Sequence, residues 1–303
     1  MVSCYDNNFN CLQSSIAYIC NVNGVDARVL FVLFYGINIG RKPECPFRNR
    51  LMVGMRASFR EIFENYFGWN ITIYEEKNID IELIEQEKNA GNYILAEIDA
   101  YGCKWNPAYR IAHGNHYCII RNIDSPNRKL EFLDPYYGEM KREMFFDEYE
   151  KCKKRIFVIH VVLRSKDICV RNIIKKSLVE YQKENIEMYR ILLNQLPKSK
   201  WEDFFESNQT ENCKLIIAVK QIGDNYSGFL KYVISKEYGK DFGYDTVYKI
   251  INQWNLFRKL LIKCHIIKKV THENIKTLLE LINEIAYLDS LILCKLKKSS
   301  REK

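Results

Sequence analysis

No stretch of this 303-residue chain approaches the ~18–20 uninterrupted apolar residues that a membrane span needs. The first residues, Met1 to Asn8, lack the basic-then-apolar plan of a signal peptide. A cytoplasmic protein is therefore expected, with no membrane partner. No two of the 11 cysteines form a CxxC pair, so no zinc site is expected. Their scattered spacing and odd number point instead to reduced thiols, mostly packed as small hydrophobes. Cys20, Cys118, Cys169, Cys264 and Cys294 lie in apolar runs and fit that description best. Internal repeats and low-complexity linkers are absent as well. Nor does any nucleic-acid-binding module occur, although the net charge is +8.

That charge is uneven. Residues 1–164 carry 21 basic and 21 acidic side chains, whereas residues 165–303 carry 25 and 17. The whole excess lies in the second half, where it suits either a solvated helical surface or an acidic partner.

The pattern changes at the same place. Up to residue 164 the chain has short runs rich in Ile, Val, Phe and Tyr, bounded by Gly, Pro, Asn or Asp. Strands are expected at 93–99, 116–120, 129–133 and 155–163. Those at 116–120 and 129–133 flank Asp124-Ser125-Pro126-Asn127 and form an expected antiparallel hairpin. From residue 168 proline is scarce and the spacing is helical. Ile275, Leu278, Leu279, Ile282, Ile285 and Ala286 recur at three and four residues as one apolar stripe. Helices are expected at 168–196, 211–222, 225–238, 244–268 and 272–298, punctuated by Pro197 and by Gly239 and Gly243. This predicts an α+β domain over 1–164 and an all-helical C-terminal domain over 165–303.

Three residues in the first domain carry candidate chemistry. Leu12, Ile16 and Ile19 share one helical face. Asn10 before them is a good N-cap, and Gln13 stands where a capping box needs it. Cys11 then occupies the first helical position, where free backbone N–H groups and the helix dipole favour a thiolate. Those N–H groups also suit an oxyanion. His116 opens an apolar strand after a glycine-containing loop and can point into a cleft. Asp134 ends the next strand, so the hairpin sets a carboxylate beside the imidazole, to orient it and stabilise its cation. His113 is the reserve base and Asp124 the reserve orienter. His160 reads as a core residue, while His265 and His272 have no partner signal. Asp99, before the histidine loop, is a candidate for holding a cationic amine.

The Cys at a helix start, the His116-Tyr117 strand and the Leu133-Asp134-Pro135 turn resemble papain-like enzymes of the C39 peptidase type. A closer resemblance is to the butirosin-biosynthesis acyltransferase family. It rests on Asn10 to Ser15, Leu30 to Gly36, Glu97 to Asp99 through Asn106 to Tyr109 to Ile120, and Leu133 to Pro135. Ile222-Gly223, Phe229-Leu230 and Trp254 resemble that family's helical C-terminal domain. The chain is also similar to protease-like amide synthetases of the closthioamide type, in which a short aromatic acyl chain is joined to a diamine.

These resemblances imply a papain-like fold and an enzyme that takes an acyl group from a carrier-protein thioester onto Cys11. The group then passes to a small amine, with no cofactor beyond the carrier's phosphopantetheine arm. The carrier is expected to be acidic, and the basic second half suits it. One departure is clear. C39 peptidases and papain have a Gln six residues before the Cys, and here that place is Tyr5. Asn7 or Asn8 is the candidate oxyanion donor instead. The rival readings are a cysteine peptidase, a non-catalytic binding protein with this fold, and a nucleic-acid binder.

Overall fold

Two kinds of local chemistry build the first unit: capped amphipathic helices and strands of β-branched residues. The computed structural model describes Cys4 and residues 9–33, 36–39, 51–54, 58–138, 141–162, 227–235, 244–267 and 271–299. In chain order the elements begin with α1 (Cys11–Val22), α2 (Leu30–Leu33) and the hairpin β1 (Gly36–Ile39) and β2 (Leu51–Gly54). A π-helical segment, Glu61–Phe67, leads to β3 (Asn70–Glu75), α3 (Ile81–Asn89), β4 (Tyr93–Asp99) and β5 (Asn115–Asp124). Then come β6 (Lys129–Leu133), β7 (Lys141–Phe145), α4 (Phe146–Glu150) and β8 (Lys153–His160). A second π-helical segment, Phe229–Ile234, precedes α5 (Tyr244–Ile267) and α6 (His272–Ser299).

Strands β3 to β8 form one six-stranded antiparallel sheet in the order β3-β8-β4-β5-β6-β7, so the protein is of the α+β class. The last strand inserts between two earlier ones. Its Ile156, Phe157, Val158 and Ile159 are all buried, as are Ile94 to Ile98 of β4. A strand buried along its length needs cover on both faces, so these two strands lie inside the sheet, and Glu97, the one charge in the buried run of β4, is paired with Arg155 at 2.7 Å. One face carries Ile94, Ala96, Ile98, Cys118, Ile120, Phe132, Ile156 and Val158, packed with Ile84 of α3 and Tyr149 of α4. On the other face Phe157 stacks on Phe59 at 4.6 Å between ring centroids. Burying an Ile or Phe side chain contributes roughly 1.5–3 kcal/mol, so these two layers dominate the unit's stability.

The β5–β6 hairpin forms as expected. Asp124 accepts from the backbone N–H of Asn127 at 3.2 Å and from its side-chain amide at 2.8 Å, and Arg128 closes the turn with φ 52. Asp124 is thereby a turn residue and not an orienter. The strand expected at 155–163 runs instead from Lys153 to His160, which puts His160 at a strand end, half-buried beside Thr72.

The chain divides into two compact units, Met1–Ala27 with Ala57–Ile168, and Arg28–Arg56 with Cys169–Lys303. The sequence expectation placed 28–56 in the first domain; this segment groups with the second unit. The reason is aromatic packing. Phe31 of α2 stacks on Tyr232 with centroids 5.7 Å apart and planes 9° from parallel, and it lies so close to Gly228 that a Cβ there would come within 2.1 Å of its ring. The second unit also holds the β1–β2 hairpin, so it is not purely helical.

Within that unit, α5 and α6 match the helices expected at 244–268 and 272–298 to within two residues, and 227–235 is helical within the expected 225–238. Leu278, Ile282 and Ile285 are buried as the stripe requires. The helices expected at 168–196 and 211–222 lie outside the described residues. Cys294 is exposed, against expectation, because it sits two residues past buried Ile292 and therefore on the far side of α6. Among the described residues, no helix is long and apolar enough to cross a membrane.

Candidate active site

Asn10 caps α1 as its sequence predicts. Its side chain accepts from the Gln13 backbone N–H at 2.8 Å, and the Gln13 side chain accepts from the Asn10 N–H at 3.2 Å. This reciprocal box fixes where the helix starts, and so fixes Cys11 as its first residue. Leu12, Ile16, Ala17, Ile19 and Cys20 are buried, and α1 packs on β5 and on the turn after β6. The Ser15 hydroxyl donates to the Tyr117 carbonyl at 3.4 Å. Cys11 itself stays partly exposed at the helix mouth.

His116 lies on β5 opposite Ile98 of β4, and only 2% of it is exposed. In the β5–β6 ladder Ile119 pairs with Leu133. Continuing that register by one residue sets Asp134 opposite Cys118, on the same face as His116 and diagonal to it. The result is a 2.6 Å hydrogen bond from His116 Nε2 to Asp134 Oδ2. Cys11 lies close enough to the same imidazole to help hold its proton. Since Asp134 occupies Nε2, Nδ1 is the nitrogen left for the sulfur. The three residues singled out in the sequence are thus brought together.

Asp134 is fully buried. Besides His116, its Oδ2 accepts from Trp105 Nε1 at 2.7 Å, and its Oδ1 accepts from the Tyr136 backbone N–H at 3.2 Å. A buried carboxylate needs such donors, and three are present. The Tyr137 ring lies 5.6 Å from the imidazole, tilted by 34°.

Burial by itself lowers the pKa of His116. The hydrogen bonds and charges of Asp134 and Cys11 outweigh it and raise the group to about 9. The imidazole is therefore a cation at neutral pH.

Most of the other described thiols are buried. Burial pushes Cys103 and Cys152 up to about 12, and raises Cys20 and Cys118 further. Only Cys11 and Cys294 among the described cysteines reach solvent.

The remaining expectations fare differently. Asp99 ends β4 opposite Asn115, one residue from His116. Its carboxylate accepts from His113 Nδ1 at 2.8 Å, from the N–H of Tyr101 at 3.1 Å and from that of Gly114 at 3.2 Å. Partial burial acts to raise its pKa, but these donors and Lys154 hold it down to about 2. Its oxygens serve the loop between β4 and β5. The reserve base His113 belongs to Asp99 and not to the Cys11 cluster. Asn7 and Asn8 lie outside the described residues, as does Tyr5. The sequence reading missed Trp105. Its signal was a large apolar ring with a polar edge inside an otherwise polar loop, a residue that usually finds a hydrogen-bond partner when it packs.

Among the described residues no cluster of three His, Cys, Asp or Glu side chains could hold a metal ion. No protein-family model matches the chain, and no curated protein matches it either.

Proposed function

We propose that this chain is a cysteine-dependent acyltransferase that makes an amide from a carrier-bound thioester and a small amine. The observation that carries this reading is a half-exposed Cys11 at a helix start, facing a buried His116 whose far nitrogen is held at 2.6 Å by Asp134. A helix-borne Cys, a strand-borne His and an Asp just past the next strand also support a papain-like arrangement for the first unit.

In the first step the Cys11 thiolate attacks the thioester carbonyl. A bond from carbon to Cys11 sulfur forms, the bond from carbon to the carrier's sulfur breaks, and the His116 proton passes to the leaving thiolate. One thioester replaces another, so the exchange is nearly isoenergetic. His116 is then neutral. In the second step an unprotonated amine attacks the acyl-enzyme, its surplus proton moves to His116, and Cys11 leaves as a thiolate. The ion pair is restored. An amide is far more stable than a thioester, so this step runs forward without ATP. Backbone N–H groups in the first turn of α1 suit the oxyanion. Tyr137 over the imidazole supports keeping water from the acyl-enzyme.

Intact mass spectrometry tests the reading. Acyl-loaded carrier protein should add one acyl group to the chain, lost on Cys11→Ala, and a panel of amines should discharge it as amide. Cleavage of peptides without an acyl adduct from any thioester would replace this reading with a peptidase.

A further inference from the structure

The connection from β4 to β5, residues 100–114, contains no Asp or Glu but does contain Lys104, Arg110 and His113. It is a built loop. Ala100 N–H donates to Gly114 O at 2.8 Å and Arg110 N–H to Tyr101 O at 3.0 Å, while Asn106 accepts from the Ala108 N–H at 2.9 Å. The bonds of Asp99 to Tyr101 and Gly114 clamp both ends. In its middle, Trp105 donates to Asp134, so the loop is tied directly to the Cys11 cluster.

What the loop shows to solvent is unusual for a clamped structure. Ile111 is 79% exposed and Tyr101 is 42% exposed. Tyr101 stacks on the exposed His113 at 4.5 Å and 15°. The hydrogen bond from Arg110 to Tyr101 places Arg110 and Ile111 beside that stack. Arg110 adopts φ 55, a left-handed conformation that costs a non-glycine residue about 1–2 kcal/mol. Its guanidinium lies over the Tyr109 ring at 5.1 Å and has no carboxylate partner among the described residues. Lys104, by contrast, is paired with Glu148 at 2.5 Å.

We infer that Tyr101, Arg110, Ile111 and His113 form the surface on which the acyl-bearing partner docks, and that this partner is an acidic protein with an exposed apolar side chain. The inference rests on the acyltransfer reading. The charge argues for it: a 15-residue loop without an acid, presenting an unpaired guanidinium beside an apolar residue and two rings, is complementary to a negative face with an apolar knob. Position argues for it too, because the loop is tied through Trp105 to Asp134, which holds the imidazole that serves Cys11, where a carrier's arm must deliver its thioester. This assigns docking to the first unit, in addition to the charge excess of the second.

The test measures Cys11 acylation by intact mass with two donors: an acyl-phosphopantetheinyl carrier protein and the same acyl group on N-acetylcysteamine. Arg110→Glu and Ile111→Asp should each lower kcat/KM for the carrier donor about tenfold, through KM, while the loss with the small thioester stays under twofold. Raising NaCl from 50 to 500 mM should weaken the wild-type reaction with the carrier and flatten that dependence in Arg110→Glu. As an independent readout, full-length Cys11→Ala should bind labelled loaded carrier in fluorescence anisotropy, and Arg110→Glu in that background should weaken the complex. Equal losses with both donors, or unchanged carrier kinetics and binding, overturn the docking surface and leave acyl transfer standing. An unacylated wild-type Cys11 with both donors removes acyl transfer and the docking surface together.

Discussion

Trp105 and His116 donate to the same oxygen, Asp134 Oδ2, at 2.7 and 2.6 Å. The indole thus belongs to the machinery that sets the charge and direction of the carboxylate, although it lies in a loop 29 residues before it. The carboxylate is fully buried, so each donor that points at it replaces a water it cannot have.

Trp105→Phe removes one of these donors and keeps most of the ring. A hydrogen bond to a buried charge contributes about 1.5–3 kcal/mol, so urea unfolding should show a loss of that size. Acylation of Cys11 should slow about tenfold or more, because the imidazole loses part of its anchor. Trp105→Phe with wild-type stability and rate would show that the indole bond does nothing.

The pH dependence follows from His116. Its folded-state pKa is raised to about 9 from an ordinary 6.5. The stability it contributes is therefore fully present below about 6.5 and is lost as pH rises through about 9. Acylation needs the imidazolium to protonate the leaving thiolate, so its rate should fall on the alkaline side with a midpoint near 9. In Asp134→Asn the hydrogen bond loses its charge. The alkaline limb should move to lower pH, and thermal melts from pH 6 to 9 should show a smaller decline than wild type. An alkaline limb indifferent to Asp134→Asn would sink this assignment.

Thiol reactivity should be selective. Of the seven described cysteines, Cys11 and Cys294 are accessible, while Cys4, Cys20, Cys103, Cys118 and Cys152 are buried. Brief treatment of the native chain with iodoacetamide, followed by peptide mapping, should modify Cys11 first and Cys294 more slowly, since only Cys11 has an imidazolium neighbour. Alkylation of Cys103 or Cys118 at comparable rates would contradict the buried core.

Gly228→Ala tests the allegiance of the 28–56 segment. The added Cβ would meet Phe31 at 2.1 Å, and Phe31 is fully buried. Overpacking of this kind costs about 1–3 kcal/mol, and urea unfolding should report it. Phe31→Leu in the same background should recover part of the loss, because it removes the atoms that clash.

How far the sequence spoke depends on the range of each interaction. The start of α1 was legible because Asn10 and Gln13 cap each other three residues apart. Strand β4 matched its expected limits because a short apolar run bounded by Gly91-Asn92 and the loop at 100 has few alternatives. The meeting of His116 and Asp134 was legible only in part: the tight turn at Asp124 to Asn127 sets up the hairpin, but its register alone would leave Asp134 opposite Ile119, and the bulge between Ile120 and Asn122 moves it opposite Cys118, onto the face of His116. Cys294 was misjudged because an apolar neighbourhood in sequence is not a buried position on a helix.

The chain's own order of residues determined the Cys11 helix, the β5–β6 hairpin, and the two long helices α5 and α6, since each rests on contacts within a few turns or one hairpin. Tertiary structure alone decided that β8 would lie between β3 and β4, that Phe31 would stack on Tyr232 about 200 residues away, that Asp99 would serve its loop, and that Trp105 would reach Asp134. Those outcomes depend on which apolar faces find cover and which buried charges find donors. Such choices are made when distant segments compete for the same neighbours, and no local pattern records the winner.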